Sequence, residues 1–376
     1  MNIIFYILGL SIPLLIIYWL VNDKLKSMVM ITGTIIFLWY ISLPSILVLI
    51  VSSLLIYFTL QQFNSNAKTI VSLILSTAGV LFFFKINIKQ EYISLGERVL
   101  PFGLSYYSFR QIHYIFESYK KKLPKHDFLD FLGYLFFLPT LYIGPINRFQ
   151  SFLKDNQRKR WDSQFFSYGL ERILYGLFKV TFLGNFLISL KLSNYSGNFI
   201  INYPWLYQYI QMVVFYFNAY FQFAGFSDIA IGLSALFGYR IMENFNYPFV
   251  ASNIADFWKR WHISLSEWCN EYVFQPILSI SRSFIISIFF SIIVLALWHE
   301  ISYKYILWGL LHIIALNVFH FYNNTALYQL LNKYPIMQKV LGIFITIHFV
   351  MISFMLIKTD DLKDFGNFIK ILFLVS

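Results

Sequence analysis

Apolar runs long enough to cross a bilayer recur along almost the whole chain, and they constrain the fold more than any other feature. They fall at 3–21, 28–42, 45–60, 68–85, 98–117, 165–190, 203–222, 278–298, 303–322 and 338–357, with a last stretch at 365–376. A transmembrane helix needs about 20 predominantly apolar residues. Only 12% of the 376 residues are charged, against about 25% in a soluble domain, so a soluble core is excluded. The expected fold is an all-α polytopic integral membrane protein with about 10–12 spans, in one membrane domain covering 1–376. The first run lacks a basic flank and a small-residue cleavage site, so it reads as a span and not as a secretory signal.

Charge gives the orientation. The net charge is +11, and its densest clusters are Lys120, Lys121, Lys122, Lys125 and Arg148, Lys154, Arg158, Lys159, Arg160. In a multi-pass membrane protein such clusters mark the cytoplasmic side and suit anionic head groups or an acidic partner, so nucleic acid is not expected as a partner. The apolar segment 128–146 lies between the two clusters, and a simple crossing would strand one of them outside. With Pro139, Gly144 and Pro145 interrupting it, the segment reads as re-entrant.

Segment 222–275 is too polar for a lipid-facing span and too aromatic for a free loop, which implies short helices inside a protein-walled cavity. If helical there, Trp258, Trp261 and His262 share one face, with Lys259 and Arg260 pointing elsewhere, toward Asp256 or an anionic ligand. Ionisable groups at membrane depth are costly and mark function. His262 and His299 are the two candidates, since a neutral imidazole is the natural base for a hydroxyl proton near pH 7. A core histidine satisfied by a backbone carbonyl is the plain alternative for each. His113, His126, His320 and His348 read as structural, as does His312, although His312 lies one helix beyond His299. The single cysteine, Cys269, rules out an internal disulfide, and a nucleophilic role would require an activating base. Other chemistries find no support: no phosphate loop carries its lysine, no histidine spacing suits zinc, so no metal is expected, and no Gly-x-Ser-x-Gly elbow is present. Broken helices with polar groups at mid-membrane also belong to transporters.

Taken in order, several motifs resemble those of the membrane-bound O-acyltransferases, in the bacterial branch of alginate acetylation, D-alanyl transfer to teichoic acids and peptidoglycan O-acetylation. They are Pro101-Phe-Gly-Leu-Ser-Tyr-Tyr-Ser-Phe109, Gly144-Pro-Ile-Asn-Arg-Phe149, Phe223-Ala-Gly-Phe-Ser-Asp-Ile-Ala-Ile-Gly232, the stretch from Asn244 to Trp268 containing Phe257-Trp-Lys-Arg-Trp-His-Ile-Ser-Leu-Ser266, Trp298-His299, and Trp308-Gly-Leu-Leu-His312. The resemblance implies a ring of tilted helices around a central tunnel, with His299 as active-site histidine and His262 as the second histidine. Asp228, Asn246, Trp258, Arg260, Trp261, Ser264, Trp298, Glu300 and His312 are then the supporting or substrate-binding residues. Glu300 departs from the pattern, which has glycine there. Its carboxylate either orients a nearby imidazolium or faces solvent.

The implied activity is transfer of an acyl group, acetyl by default, from a cytosolic thioester (acetyl-CoA or an acyl carrier protein) to a hydroxyl of an extracytoplasmic envelope or secreted glycan. No bound cofactor is expected. The implied partners are the donor or its carrier, the glycan or an accessory transferase, and the lipid bilayer, and the implied location is the bacterial inner membrane. A transporter or flippase of an acyl or glycan substrate, or a noncatalytic scaffold for a soluble transferase, is the rival reading.

Overall fold

The computed structural model describes residues 2–63, 66–90, 101–158 and 160–374. Among these, helices make up nearly all of the regular structure, and the one β-bridge pairs Phe245 with Trp261. Among the described residues, six helices are long and apolar enough to cross a membrane: Asp23–Ile41, Leu43–Gln62, Ala67–Ile86, Ser163–Phe199, Tyr303–Tyr322 and Pro335–Lys358. Two shorter apolar helices, Ile4–Leu20 and Phe284–His299, accompany them. The expected span at 98–117 begins outside the described residues and continues as a helix with buried Arg110, Gln111, His113 and Glu117. That polar content makes it a helix packed against protein and not one facing lipid.

The chain partitions into two compact units, Met1–Leu174 with Ser227–Met242, and Tyr175–Phe226 with Glu243–Ser376. The first holds α1 (Asn2–Leu20), α2 (Asp23–Ile41), α3 (Leu43–Gln62), α4 (Ala67–Gln90), α5 (Leu104–Tyr119), α6 (Phe128–Leu135) and α7 (Phe149–Arg158), together with parts of α8 (Ser163–Phe178) and α10 (Pro204–Leu236).

Within that unit, 128–146 does not form a continuous span. Asp127 and Asp130 make a reciprocal capping box that starts α6. The helix stops after eight residues, about 12 Å, short of the roughly 30 Å of hydrocarbon. A 3-10 turn over Leu138–Thr140 follows, and Gly144 takes a φ of 144°. Broken backbone is tolerated at such depth only when its polar groups are met by protein. The fully buried Arg110 meets them, donating to Tyr134 O at 3.0 Å and to both the carbonyl and hydroxyl oxygens of Thr140.

The second unit contains the rest of α8 and α10, the π-helical continuation Lys179–Leu192, and α9 (Ser193–Ser196). Next come four short elements: α11 (Ile254–Trp258), α12 (Ile263–Cys269), the π-helical Asn270–Phe274 and α13 (Gln275–Ser281). The long α14 (Phe284–His299), α15 (Tyr303–Tyr322) and α17 (Pro335–Lys358) follow, with α16 (Ala326–Leu331) and α18 (Leu362–Leu372) beside them. Gly309 lets α15 approach α14 closely, because a Cβ there would stand 3.0 Å from the Ala296 methyl. Small residues at such crossings are how helices pack inside membranes. This crossing sits one turn before the end of α14, where His299 lies.

Candidate active site

Asn253 starts α11 by accepting from Asp256 N, and the helix lasts only to Trp258. The backbone then turns, and His262 adopts φ 45° and ψ 53°, a left-handed conformation, before α12 begins. The helix is therefore broken between Trp258 and His262, and the expected common helical face of Trp258, Trp261 and His262 does not form. Asn244 stabilises this strained turn. Its backbone oxygen accepts from Ile263 N at 2.9 Å, and its side-chain oxygen accepts from Ser264 N at 3.3 Å and Ser264 Oγ at 2.9 Å. Asn246 N donates to Arg260 O at 2.9 Å, closing the short Phe245–Trp261 bridge. A non-glycine residue held at positive φ costs of order 1–3 kcal/mol and is a feature of functional sites.

The turn aims the His262 imidazole at Phe223, with ring centres 4.6 Å apart, and at Trp298, 5.9 Å apart. Trp298 is 4.5 Å from His299, and His299 stacks on Tyr305 at 5.7 Å and meets Trp308 at 6.0 Å. Trp308 continues to His312 at 4.6 Å, and Trp258 closes the group, 5.4 Å from His312 and 6.0 Å from Trp308. One unbroken wall of rings thus joins His262, His299 and His312. Residues far apart in sequence reach it because α14 and α15 run side by side through the Ala296–Gly309 crossing.

The two candidate histidines occupy opposite environments. His262 is 1% exposed, whereas His299 is exposed at the end of α14. No other residue offers a hydrogen bond to either ring nitrogen of His262, whose imidazole finds a hydrogen-bonding group only in its own backbone. His262 lies outside the membrane-crossing helices, and burial first, then the charge of His299, hold its pKa well below the ordinary range. The indole Nε1 of Trp258, that of Trp308, and Nδ1 of His312 are likewise buried without a protein partner. Buried polar groups left unmet cost about 1–3 kcal/mol each, so four residues of one wall present hydrogen-bonding groups that the fold itself does not use.

The remaining candidates are placed as follows. Trp261 stacks on Phe257 at 5.7 Å and on Tyr216 at 6.0 Å, away from the His299 end of the wall. Arg260 pairs with Asp256, Nε to Oδ1 at 2.8 Å, and reaches Asn246 O at 3.3 Å. Ser264 serves the Asn244 clamp. Glu300 caps α14, its N–H donating to Ala296 O at 3.2 Å. Asp228 belongs to the first unit, where it pairs with Arg172. His312 Nε2 lies 3.1 Å from Ser353 Oγ. Of the histidines read as structural, His113 accepts from Phe149 N, His126 bonds the Tyr114 hydroxyl and Pro124 O, and His348 bonds the Tyr209 hydroxyl and Phe344 O. His320 stacks on Phe284. No group of three or more His, Cys, Asp or Glu side chains suited to a metal occurs among the described residues.

Sequence reasoning did not single out Asn244, Phe223, Tyr305 or Trp308 for the site. Trp308 was the most accessible of these, since it stands one turn from His312 on the same helix. Asn244 opens one of the quoted motifs, but its role in holding Ser264 has no local signal, because that partner is 20 residues away.

The membrane-bound O-acyltransferase family model matches residues 47–358. The chain is 32% identical over 219 residues to a probable alginate O-acetylase, AlgI, of Pseudomonas aeruginosa, covering 57% of this chain and 41% of that protein. It is 32% identical to a teichoic acid D-alanyltransferase of Bacillus subtilis, covering 67% of each. It is 26% identical to a peptidoglycan O-acetyltransferase of Helicobacter pylori, covering 86% of this chain and 68% of the relative. The chain thus spans less than half the length of the alginate O-acetylase and about two thirds of the other two.

Proposed function

Because this chain belongs to the membrane-bound O-acyltransferase family, we propose that it transfers an acyl group, acetyl by preference, from a thioester donor to a hydroxyl of a cell-envelope or secreted glycan. The names of the relatives support the reaction class: two of the three are named for O-acetyl transfer, involving alginate and peptidoglycan, and one for D-alanyl transfer to teichoic acid. The observation that carries the reading is the ring wall joining an exposed His299 through Trp298 to a buried, neutral His262, with the unmet indole donors of Trp308 and Trp258 on the other side of His299.

In this reading the acceptor hydroxyl gives its proton to His299 while its oxygen attacks the thioester carbonyl. A C–O bond forms and the carbonyl π pair moves onto oxygen, giving a tetrahedral oxyanion. When the pair returns, the C–S bond breaks, and His299 delivers its proton to the departing thiolate. The C-terminal end of a helix favours positive charge, so the end of α14 stabilises His299 while it holds the proton. The indole N–H groups of Trp258 and Trp308 are fixed donors of the kind that stabilise developing oxyanions. His262 acts as a neutral hydrogen-bonding group behind Trp298.

The donor comes from the cytosolic side, as acetyl-CoA or an acylated carrier protein, drawn by the basic clusters at 120–125 and 148–160. The acceptor lies on the other face of a bacterial inner membrane, either the glycan or an accessory transferase that passes the acyl group on. The test is single-turnover transfer from a labelled acyl thioester by the purified protein in detergent. Labelled ester product with wild type and none with His299→Ala supports the reading. No product with acetyl or D-alanyl donors, carrier-bound or free, overturns it.

A further inference from the structure

A cavity of about 650 Å³ lies between the C-terminal half of α15, α16, the N-terminal half of α17 and the turn at 252–254. It is of ligand size. Gly342 closes one wall, since a Cβ there would stand 2.2 Å from Ser252 O, so α17 and the turn pack as closely as backbones allow. The lining is ordered by depth. Gln338 and Lys339 stand near the start of α17, and Ile345 and Phe349 lie farther along it. From Gln338 to Phe349 the helix rises about 16 Å, close to half of the roughly 30 Å hydrocarbon thickness, which is one leaflet. The exposed Val318 and Ile345 open the slot sideways to the surroundings, and its deep end is the Phe349 ring, 5.2 Å from His312.

The shallow end has the chemistry of a membrane interface. Tyr322 and Tyr328 line it and Tyr334 stands beside it, the belt position favoured by tyrosine. The charge at this end is basic: Lys339 lines it and Lys333 precedes α17 by two residues, between Glu300 and Asp360 the sequence has no acidic residue, and Asp256, which accepts from Ser252 N behind the turn, is paired with Arg260.

We propose that this slot is a binding site for an anionic membrane phospholipid, with one acyl chain along α17 down to Phe349 and the phosphate head group at Lys339. A neutral lipid fills the apolar part equally well but gains nothing from the lysines, so the charge pattern decides for an anionic occupant. The assignment does not depend on the acyltransferase reading, and its test reads binding and not turnover.

Full-length protein is delipidated in detergent, titrated with phosphatidylglycerol or phosphatidylcholine of the same chains, and analysed by native mass spectrometry. One phosphatidylglycerol is expected to be retained in preference to phosphatidylcholine. Lys339→Gln, an exposed polar change, is expected to weaken phosphatidylglycerol about fivefold and to leave phosphatidylcholine unaffected. Ala315→Trp, which fills the slot, is expected to abolish retention of both. Equal retention of the two lipids by wild type, or unchanged phosphatidylglycerol binding in Lys339→Gln, overturns the proposal, and these two measurements decide it even where Ala315→Trp fails to fold.

Discussion

The edge of the Trp298 indole meets the His262 imidazole at 75°, ring centres 5.9 Å apart, one residue before His299. A single side chain therefore separates a fully buried histidine from an exposed one, and the two are expected to respond differently to the same substitution.

His299→Ala is expected to reduce acyl transfer by at least about a hundredfold, the lower bound for losing a general base. The protein should stay monodisperse, since His299 is exposed at a helix end. Transfer within about tenfold of wild type, only about 1.4 kcal/mol of barrier, removes His299 from the chemistry.

His262→Asn is expected to keep measurable turnover where His299→Asn does not. Asparagine reproduces one imidazole hydrogen bond but takes up no proton at pH 7. Equal loss in both variants assigns His262 a proton-transfer role, and full activity in His262→Asn makes it structural.

His262 also predicts a pH dependence of stability. Its folded pKa is depressed by burial and then by His299, so below the ordinary histidine value of about 6.5 the unfolded chain binds a proton that the folded one refuses. Stability then falls as pH drops below that value. The thermal midpoint of His262→Asn in detergent should change less between pH 7 and pH 5 than that of wild type. Equal changes contradict a buried neutral imidazole.

Asn244→Ala removes the acceptor that holds Ser264 and leaves buried donors unmet, a loss of about 1–3 kcal/mol. It also frees His262 from its left-handed conformation, so activity should fall further than in Ser264→Ala, which breaks one of the two side-chain bonds. A larger loss in Ser264→Ala refutes the clamp.

Gly309→Val adds methyl groups beyond a Cβ that would itself stand 3.0 Å from the Ala296 methyl. Overpacking of this kind costs about 1–3 kcal/mol and pushes Trp308 away from His299. Lower thermal stability together with lower kcat is expected, and unchanged kcat would separate the helix crossing from the site.

Cysteines placed at Lys122 and Lys154 in a Cys269→Ala background test the orientation. Both should resist an impermeant thiol reagent added to intact cells, the outcome a re-entrant segment requires; α6 between them ends after eight residues. Labelling at one position alone shows a crossing.

The membrane class and the helical fold were legible in the chain. Apolar runs are a local property, and bilayer physics turns them directly into spans. The break in 128–146 was legible for the same reason, since proline and glycine act on their own backbone. The identity of Arg110 as the group that meets the freed carbonyls of Tyr134 and Thr140 was not, because that pairing crosses 24 and 30 residues. Sequence alone also placed Trp258, Trp261 and His262 on one helical face. Helical periodicity assumes unbroken α geometry, and the Asn244 clamp imposes a left-handed turn at His262 instead. Exposure was hidden as well: nothing in Trp298-His299 indicates that His299 is open while His262 is enclosed. Local residue chemistry therefore determined which groups are candidates for the site. The packing of α14 against α15 at Ala296 and Gly309, and the long-range bonds of Asn244, decided which of them meet, because contacts between distant segments depend on how helices fit and not on the order of residues within each.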